Sequence, residues 1–156
     1  MKNNRGFTLI ELLAVIVVLA IVIAIATSTV LPAMTSARES EFRTEATRII
    51  KRADEAFYNY YLGTLTVKND NNSCVNQTKA CFTVSELISK GISEIKEGTY
   101  TGKIEITLKD ERPVDHNLYL KKADEYYFVN QPYGDFTKNG KINDGTWTEE
   151  AEKCTC

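Results

Sequence analysis

Between Glu11 and Arg38 the chain carries no charged residue, and the 26 intervening positions are mostly aliphatic. Leu12 to Ala26 contains only Leu, Ala, Val and Ile. As a helix rising about 1.5 Å per residue, the uncharged stretch spans roughly 39 Å, more than a bilayer core needs. The buried helix of a soluble domain does not require so long a run. Lys2 and Arg5 precede it, with no acidic residue before Glu11, so the positive-inside rule keeps that end cytoplasmic and sends the remainder outward. The segment reads as a single pass through the plasma membrane. A secretory signal competes with this reading, because Ala24-Ile25-Ala26 resembles a small-residue cleavage site. That alternative predicts a soluble protein beginning at Thr27.

Glu11 separates the two. A carboxylate within an apolar helix costs about 2.5–3.5 kcal/mol at mid-bilayer and less near the interface, and plain anchors and signal peptides normally avoid it. It therefore calls for a function and for a partner that compensates its charge. The positive end of its own helix dipole helps only if the helix starts just before it. A free amine at a new N-terminus would help more.

Gly6-Phe7-Thr8-Leu9-Ile10-Glu11-Leu12 resembles the class III signal of type IV prepilins and pseudopilins, a short basic leader ending in Gly before an apolar helix. The resemblance implies cleavage by a prepilin peptidase between Gly6 and Phe7 and N-methylation of Phe7. It also implies that Glu11 is matched to the Phe7 amine of a neighbouring subunit during assembly. Further expectations follow from the family. They are a helical homo-oligomeric filament, an assembly ATPase with a membrane platform, and an extracellular pilus serving adhesion, surface motility or biofilm formation.

Beyond the apolar run, Phe42, Ala46, Ile49, Ile50, Ala53, Phe57, Tyr60 and Tyr61 recur at three- and four-residue steps, with Glu41, Glu45, Arg48, Arg52 and Glu55 opposite. This is an amphipathic helix with one face destined for a globular head. No Gly falls between Phe7 and Leu62, and Gly63 is a natural C-cap. A near-continuous helix of roughly 84 Å is expected at 1.5 Å per residue. Pro32 should kink it or melt it locally by removing a donor from the carbonyl of Ser28. Thr27, Ser28 and Thr29 stand ready to satisfy freed backbone groups.

From Gly63 the texture changes to turns and short runs. Lys68 to Ser73 reads as a polar loop. Thr83-Val84-Ser85-Glu86 fits a capping box opening a short helix that Gly91 closes. Ile104, Ile106 and Leu108 alternate with polar residues as a half-buried strand. Leu118 to Lys121 and Tyr126 to Val129 read as two more, joined by a turn at Ala123-Asp124, and Asn139-Gly140 marks another turn. The fold class is α+β: a long N-terminal helix packed by its amphipathic half on three or four antiparallel strands. The divisions are a leader (1–6), an apolar membrane or filament-core helix (7–31), an amphipathic helix half (32–62) and a C-terminal head (63–156).

Cys74, Cys81, Cys154 and Cys156 lie on the outward side, where disulfides persist. Four cysteines allow three pairings. Cys74–Cys81 would close a small loop, a link from that loop to Cys154 or Cys156 would pin the tail, and Cys154–Cys156 needs awkward local geometry. Zinc is the competing use, though neither spacing is C-x-x-C. Pilins commonly pin their C-terminal region by one disulfide; the spacing here differs from that pattern, and the connectivity stays open. Asp135, Asn139 and Asn143, with Gly140 and Ile142 between them, resemble positions of a calcium loop, but Thr137 and Thr146 stand where further oxygen charge belongs. An ordinary hairpin turn competes. His116, Trp147 and the Tyr126-Tyr127 pair read as turn, core and sheet residues.

The charge balance of 19 basic against 21 acidic residues disfavours nucleic-acid binding through bulk electrostatics. No nucleophile, base and orienting group can be read as a set, so an enzyme is not expected. The sequence reads as a type IV pilin, the major subunit of its filament. Two rivals are a pseudopilin of a type II secretion or competence apparatus and a minor tip pilin acting as a binding module.

Overall fold

Helix-forming sequence runs unbroken from Leu9, and the computed structural model contains one α-helix over the whole span, α1 (Leu9–Tyr61). The structure describes residues 7–91, 98–123, 125–136 and 141–156. Two compact units divide the chain, Met1–Arg38 and Glu39–Cys156. In the first, every described residue is solvent-exposed, including all the aliphatic side chains from Leu9 to Leu31. A contiguous apolar surface of this kind marks a membrane or protein contact, and the helix is long and apolar enough to cross a membrane.

Pro32 lies inside α1 without ending it. The local melting expected there is absent, since only one rung of the hydrogen-bond ladder is lost. Nor do the neighbouring hydroxyls fill the gap at Ser28. Thr27, Ser28 and Thr29 donate to the carbonyls of Ile23, Ile25 and Ala26, up to a turn earlier.

The second unit is built on one stripe of α1. Phe42, Ala46, Ile49, Ile50, Ala53, Ala56 and Phe57 are buried. They belong to the same core cluster as Ala80, Phe82, Ile104, Ile106, Leu118, Leu120 and Phe128. The Phe42 ring lies 4.9 Å from that of Phe128 at an interplanar angle of 20°. Tyr60 and Tyr61, expected on this stripe, are instead 36% and 60% exposed. The helix stops there in a Schellman motif: Gly63 at φ 73° donates to Tyr60 O, and Thr64 donates to Asn59 O.

The remaining elements are β1 (Ser73–Val75), β2 (Lys79–Thr83), α2 (Val84–Ser89), β3 (Tyr100–Lys109), β4 (Arg112–Lys122), β5 (Tyr126–Pro132), α3 (Tyr133–Phe136) and a 3-10 turn at Glu149–Glu152. The strands form one antiparallel sheet in the order β1-β2-β3-β4-β5. This is the expected α+β architecture, with β1 and β2 additional to the strands read from the sequence. At α2 the capping box is half made. Thr83 Oγ1 accepts from Glu86 N at 3.2 Å, but the Glu86 carboxylate pairs with Lys90 at 2.9 Å. Gly91, at φ 68°, ends the helix by donating to Ile88 O. Ala123 takes φ 46° at the expected turn; Asp124, Asn139 and Gly140 lie outside the described residues.

His116 is no turn residue. It sits on β4, and its Nε2 meets Asp54 Oδ1 of α1 at 2.6 Å. Trp147 lies half-buried outside the main core, with Nε1 donating to Glu152 at 3.2 Å and the ring edge-on to Tyr127.

Gly102 pairs with Leu120 at φ 132°, and a Cβ there would stand 2.1 Å from Tyr119 O. Because the obstacle is backbone, no side-chain movement relieves it. Gly102→Ala is expected to destabilise the fold by about 2–3 kcal/mol, measured as a lower urea midpoint with an unchanged slope.

Candidate functional sites at the helix start and the pinned tail

The N-terminal site begins with how α1 starts. The Thr8 backbone N–H and hydroxyl both donate to Glu11 Oε2, at 2.9 and 2.8 Å, and Glu11 N donates to Thr8 Oγ1 at 3.4 Å. This is a reciprocal capping box, with Thr8 at N-cap and Glu11 at N3. The sequence reading asked for a partner for Glu11 and overlooked this local one, although Thr8-Leu9-Ile10-Glu11 is the motif's own signature. Glu11 also lies in the first turn, where the helix dipole favours an anion. Among the described residues its Oε1 carries no hydrogen bond, so one carboxylate oxygen is left for another donor. Phe7 is exposed, and Gly6 lies outside the described residues.

The second site is the C-terminal tail. Cys74 and Cys81 are directly opposed in the β1–β2 register, which points both side chains to one face of the sheet. They do not bond to each other. Cys154 and Cys156 are two residues apart, and Lys153 between them is extended at φ −123° and ψ 136°, so their side chains also share a face. The result is two parallel rungs, Cys74–Cys156 and Cys81–Cys154. The C-x-C spacing at the terminus was the signal for this arrangement, since i and i+2 share a face only in extended chain. All four sulfurs are bonded, leaving none for zinc.

Polar contacts complete the seat. Cys154 N donates to Asn71 O at 2.7 Å, and Lys79 Nζ reaches Thr155 O at 3.1 Å. The 3-10 turn lies against β3 and β4 and buries Ala151. On β3, Lys103 is 7% exposed, and its Nζ meets Glu105 Oε1 at 2.9 Å; Lys79 meets the same oxygen at 3.0 Å. Burial alone would raise the Glu105 pKa, but the hydrogen bonds and charges of Lys103 and Lys79 outweigh it and hold it below the usual carboxylate range.

Of the calcium candidates, Asn139 and the side chain of Asp135 lie outside the described residues. The side chain of Asn143 is engaged with backbone: Oδ1 accepts from Tyr127 N at 2.9 Å, and Nδ2 donates to Glu125 O at 2.9 Å. With Asn143 N donating to Tyr127 O, the residue imitates a further strand along the edge of β5 and blunts it.

Residues 1–27 match the family model described as the prokaryotic N-terminal methylation motif, the hallmark of type IV pilins and pseudopilins. The matched segment contains Gly6, Phe7, Thr8 and Glu11. No curated protein and no solved structure matches the chain.

The two disulfides are nested, so their effects should not add. With Cys81–Cys154 in place, the outer rung closes a ring of only about ten residues, worth about 2.5–3 kcal/mol; alone, either closes a loop worth about 4–4.5 kcal/mol. Replacing one pair by Ser should therefore cost about 2.5–3 kcal/mol and both pairs about 7 kcal/mol, read by urea denaturation without reductant. The Glu105 carboxylate contributes stability that is complete above its unfolded pKa and lost as pH falls through its lowered folded pKa. Stability should therefore decline below about pH 4.5, and Glu105→Gln should flatten that decline in thermal melts across the acid range.

Proposed function

We propose that this chain is the major structural subunit of a type IV pilus. The carrying observation is the placement of Glu11: a single carboxylate in the first turn of α1, inside the methylation motif and followed by an exposed stretch with no further charge before Arg38. In this reading a prepilin peptidase cuts between Gly6 and Phe7 and methylates the Phe7 amine. The leader is residues 1–6, the membrane-spanning and later filament-core helix is 7–31, the amphipathic half is 32–62 and the surface head is 63–156.

The mechanism follows from the charge. In the precursor α1 spans the plasma membrane, with its start capped by Thr8 and Glu11. An incoming subunit meets the growing filament with the ammonium of one copy facing the Glu11 carboxylate of another, and the pairing sets the axial register before the aliphatic faces pack. An ATPase and membrane platform supply the work of extraction, and the filament serves adhesion, motility or biofilm formation. Pilin-type proteins are structural rather than enzymatic, and the chemistry on this chain is cleavage and methylation by another enzyme. The doubly pinned tail favours a subunit whose head stays outside the cell, where chains that unfold are not retrieved.

N-terminal sequencing and intact mass of the mature protein should give N-methyl-Phe7; a start at Thr27 would indicate a secreted soluble protein. Glu11→Ala should leave membrane insertion and cleavage intact and reduce surface filaments at least tenfold. Wild-type filament levels in that variant would refute the charge-pairing role. Immunogold labelling of the head should decorate whole filaments. Label at tips alone would assign a minor pilin, and label confined to the envelope a pseudopilin.

A further inference from the structure

The last turn of α1 and two hairpin tips enclose a groove of about 510 Å³ within the second unit, a size typical of small-molecule sites. Phe57, Tyr60 and Tyr61 line it from one helix face, at i, i+3 and i+4. Phe57 is buried as part of the floor, with its ring 6.5 Å from that of Tyr61. Asn76 and Gln77 enter from the β1–β2 tip and Glu111 from the β3–β4 tip.

Glu111 occupies a backbone position where Gly would be the relaxed residue. Asp110 and Glu111 form the two-residue connection between paired Lys109 and Arg112, and both take left-handed φ, 51° and 61°. That is type I′ geometry, in which Gly is the relaxed choice at the second position. What Glu supplies and Gly cannot is a carboxylate at the groove: Tyr61 donates its hydroxyl to Oε2 at 3.2 Å. Asn76 is oriented as well. Its Oδ1 accepts from the backbone N–H groups of Thr78 and Lys79, at 2.9 and 2.7 Å, so its amide nitrogen is the end left for a ligand.

The lining therefore offers aromatic faces, a carboxylate acceptor and two carboxamides, with no Lys or Arg among the described residues. A quaternary ammonium group would use the rings and Glu111 but leave the carboxamide donors without acceptors. A pyranose ring uses all of them. Its C–H face lies on the π surface, and its hydroxyls donate to Glu111 and accept from Asn76 and Gln77. The geometry points to a saccharide-binding site in this groove, taking one or two sugar units. It goes beyond the filament reading and does not depend on which apparatus the chain serves.

The test uses the full-length chain in a sugar-free polyoxyethylene detergent, with N,N′-diacetylchitobiose, cellobiose and mannobiose as probes and tetramethylammonium as the competitor class. Saturation-transfer NMR should show at least one disaccharide bound with a Kd of about 1 mM or tighter. Tyr61→Ala should weaken binding at least tenfold. Glu111→Gly should weaken it as much while leaving Tm unchanged or raised, because Gly relaxes the turn; a merely structural Glu111 would lower Tm and leave any binding unaltered. No binding of any disaccharide at about 10 mM, undiminished binding by both variants, or binding of tetramethylammonium in place of the sugars would overturn the assignment.

Discussion

The seating of Phe42, Ala46, Ile49, Ile50 and Ala53 on one face of the sheet is the contact on which the second unit depends. Alanines at 46, 53 and 56 are fully buried, and their small size brings the helix axis close enough for Phe42 to reach Phe128. Burying one sheet face this way leaves the other without an α-helix among the described residues. That face carries Cys81, Lys103 and Glu105, residues that alternate with Ala80, Phe82, Ile104 and Ile106 of the core. The tail lies over it, and its 3-10 turn buries a single Ala. Ordering a tail costs about 1–2 kcal/mol per residue in backbone entropy, which one buried methyl group does not offset. Covalent rungs, the Asn71 contact and the Lys79 bond are how so thin a cover stays in place.

Much of this frame was legible in the sequence, for reasons that differ by element. Period-3.6 burial from Phe42 to Phe57 and period-2 burial from Ile104 to Leu108 both follow from one-sided packing, the condition under which patterns are readable. β1 and β2 were missed because Ser73–Val75 is too short for alternation to show, and Lys79–Thr83 contains a buried Cys on the tail-covered face, so inward and outward positions look alike. Tyr60 and Tyr61 kept the helical spacing but outran the sheet, and periodicity alone does not reveal where the opposing surface ends. Ile10, Val17 and their neighbours show the converse: their strong apolar signal finds no packing partner among the described residues.

The candidate sites divide in the same way. Gly6, Phe7 and Glu11 are a linear motif, and linear motifs are visible without a fold. The cysteine pairing needed the β1–β2 register, which sequence did not supply. Even so, an opposed pair on a sheet meeting an i, i+2 pair on an extended tail admits the two parallel rungs observed. The groove at Tyr61 could not be read at all, since its rings, amides and carboxylate come from three segments, and the clue at Glu111 is a backbone angle.

Glu11 shows why a satisfied residue can still demand a partner. The capping box with Thr8 and the positive end of the helix dipole at the first turn both favour the charged carboxylate. Holding a carboxylate in lipid costs about 2.5–3.5 kcal/mol at mid-bilayer, and packing the helix into an apolar bundle carries it away from the interfacial water that lowers this cost. On the proposed reading, these local contacts would serve the charge near the membrane surface, and a bundle would call for more. What remains would, on the filament reading, be a driving force for an arrangement that brings a cation to Oε1. A residue capped well enough to insert, and not well enough to pack alone, would on that reading make assembly selective for the correctly staggered neighbour.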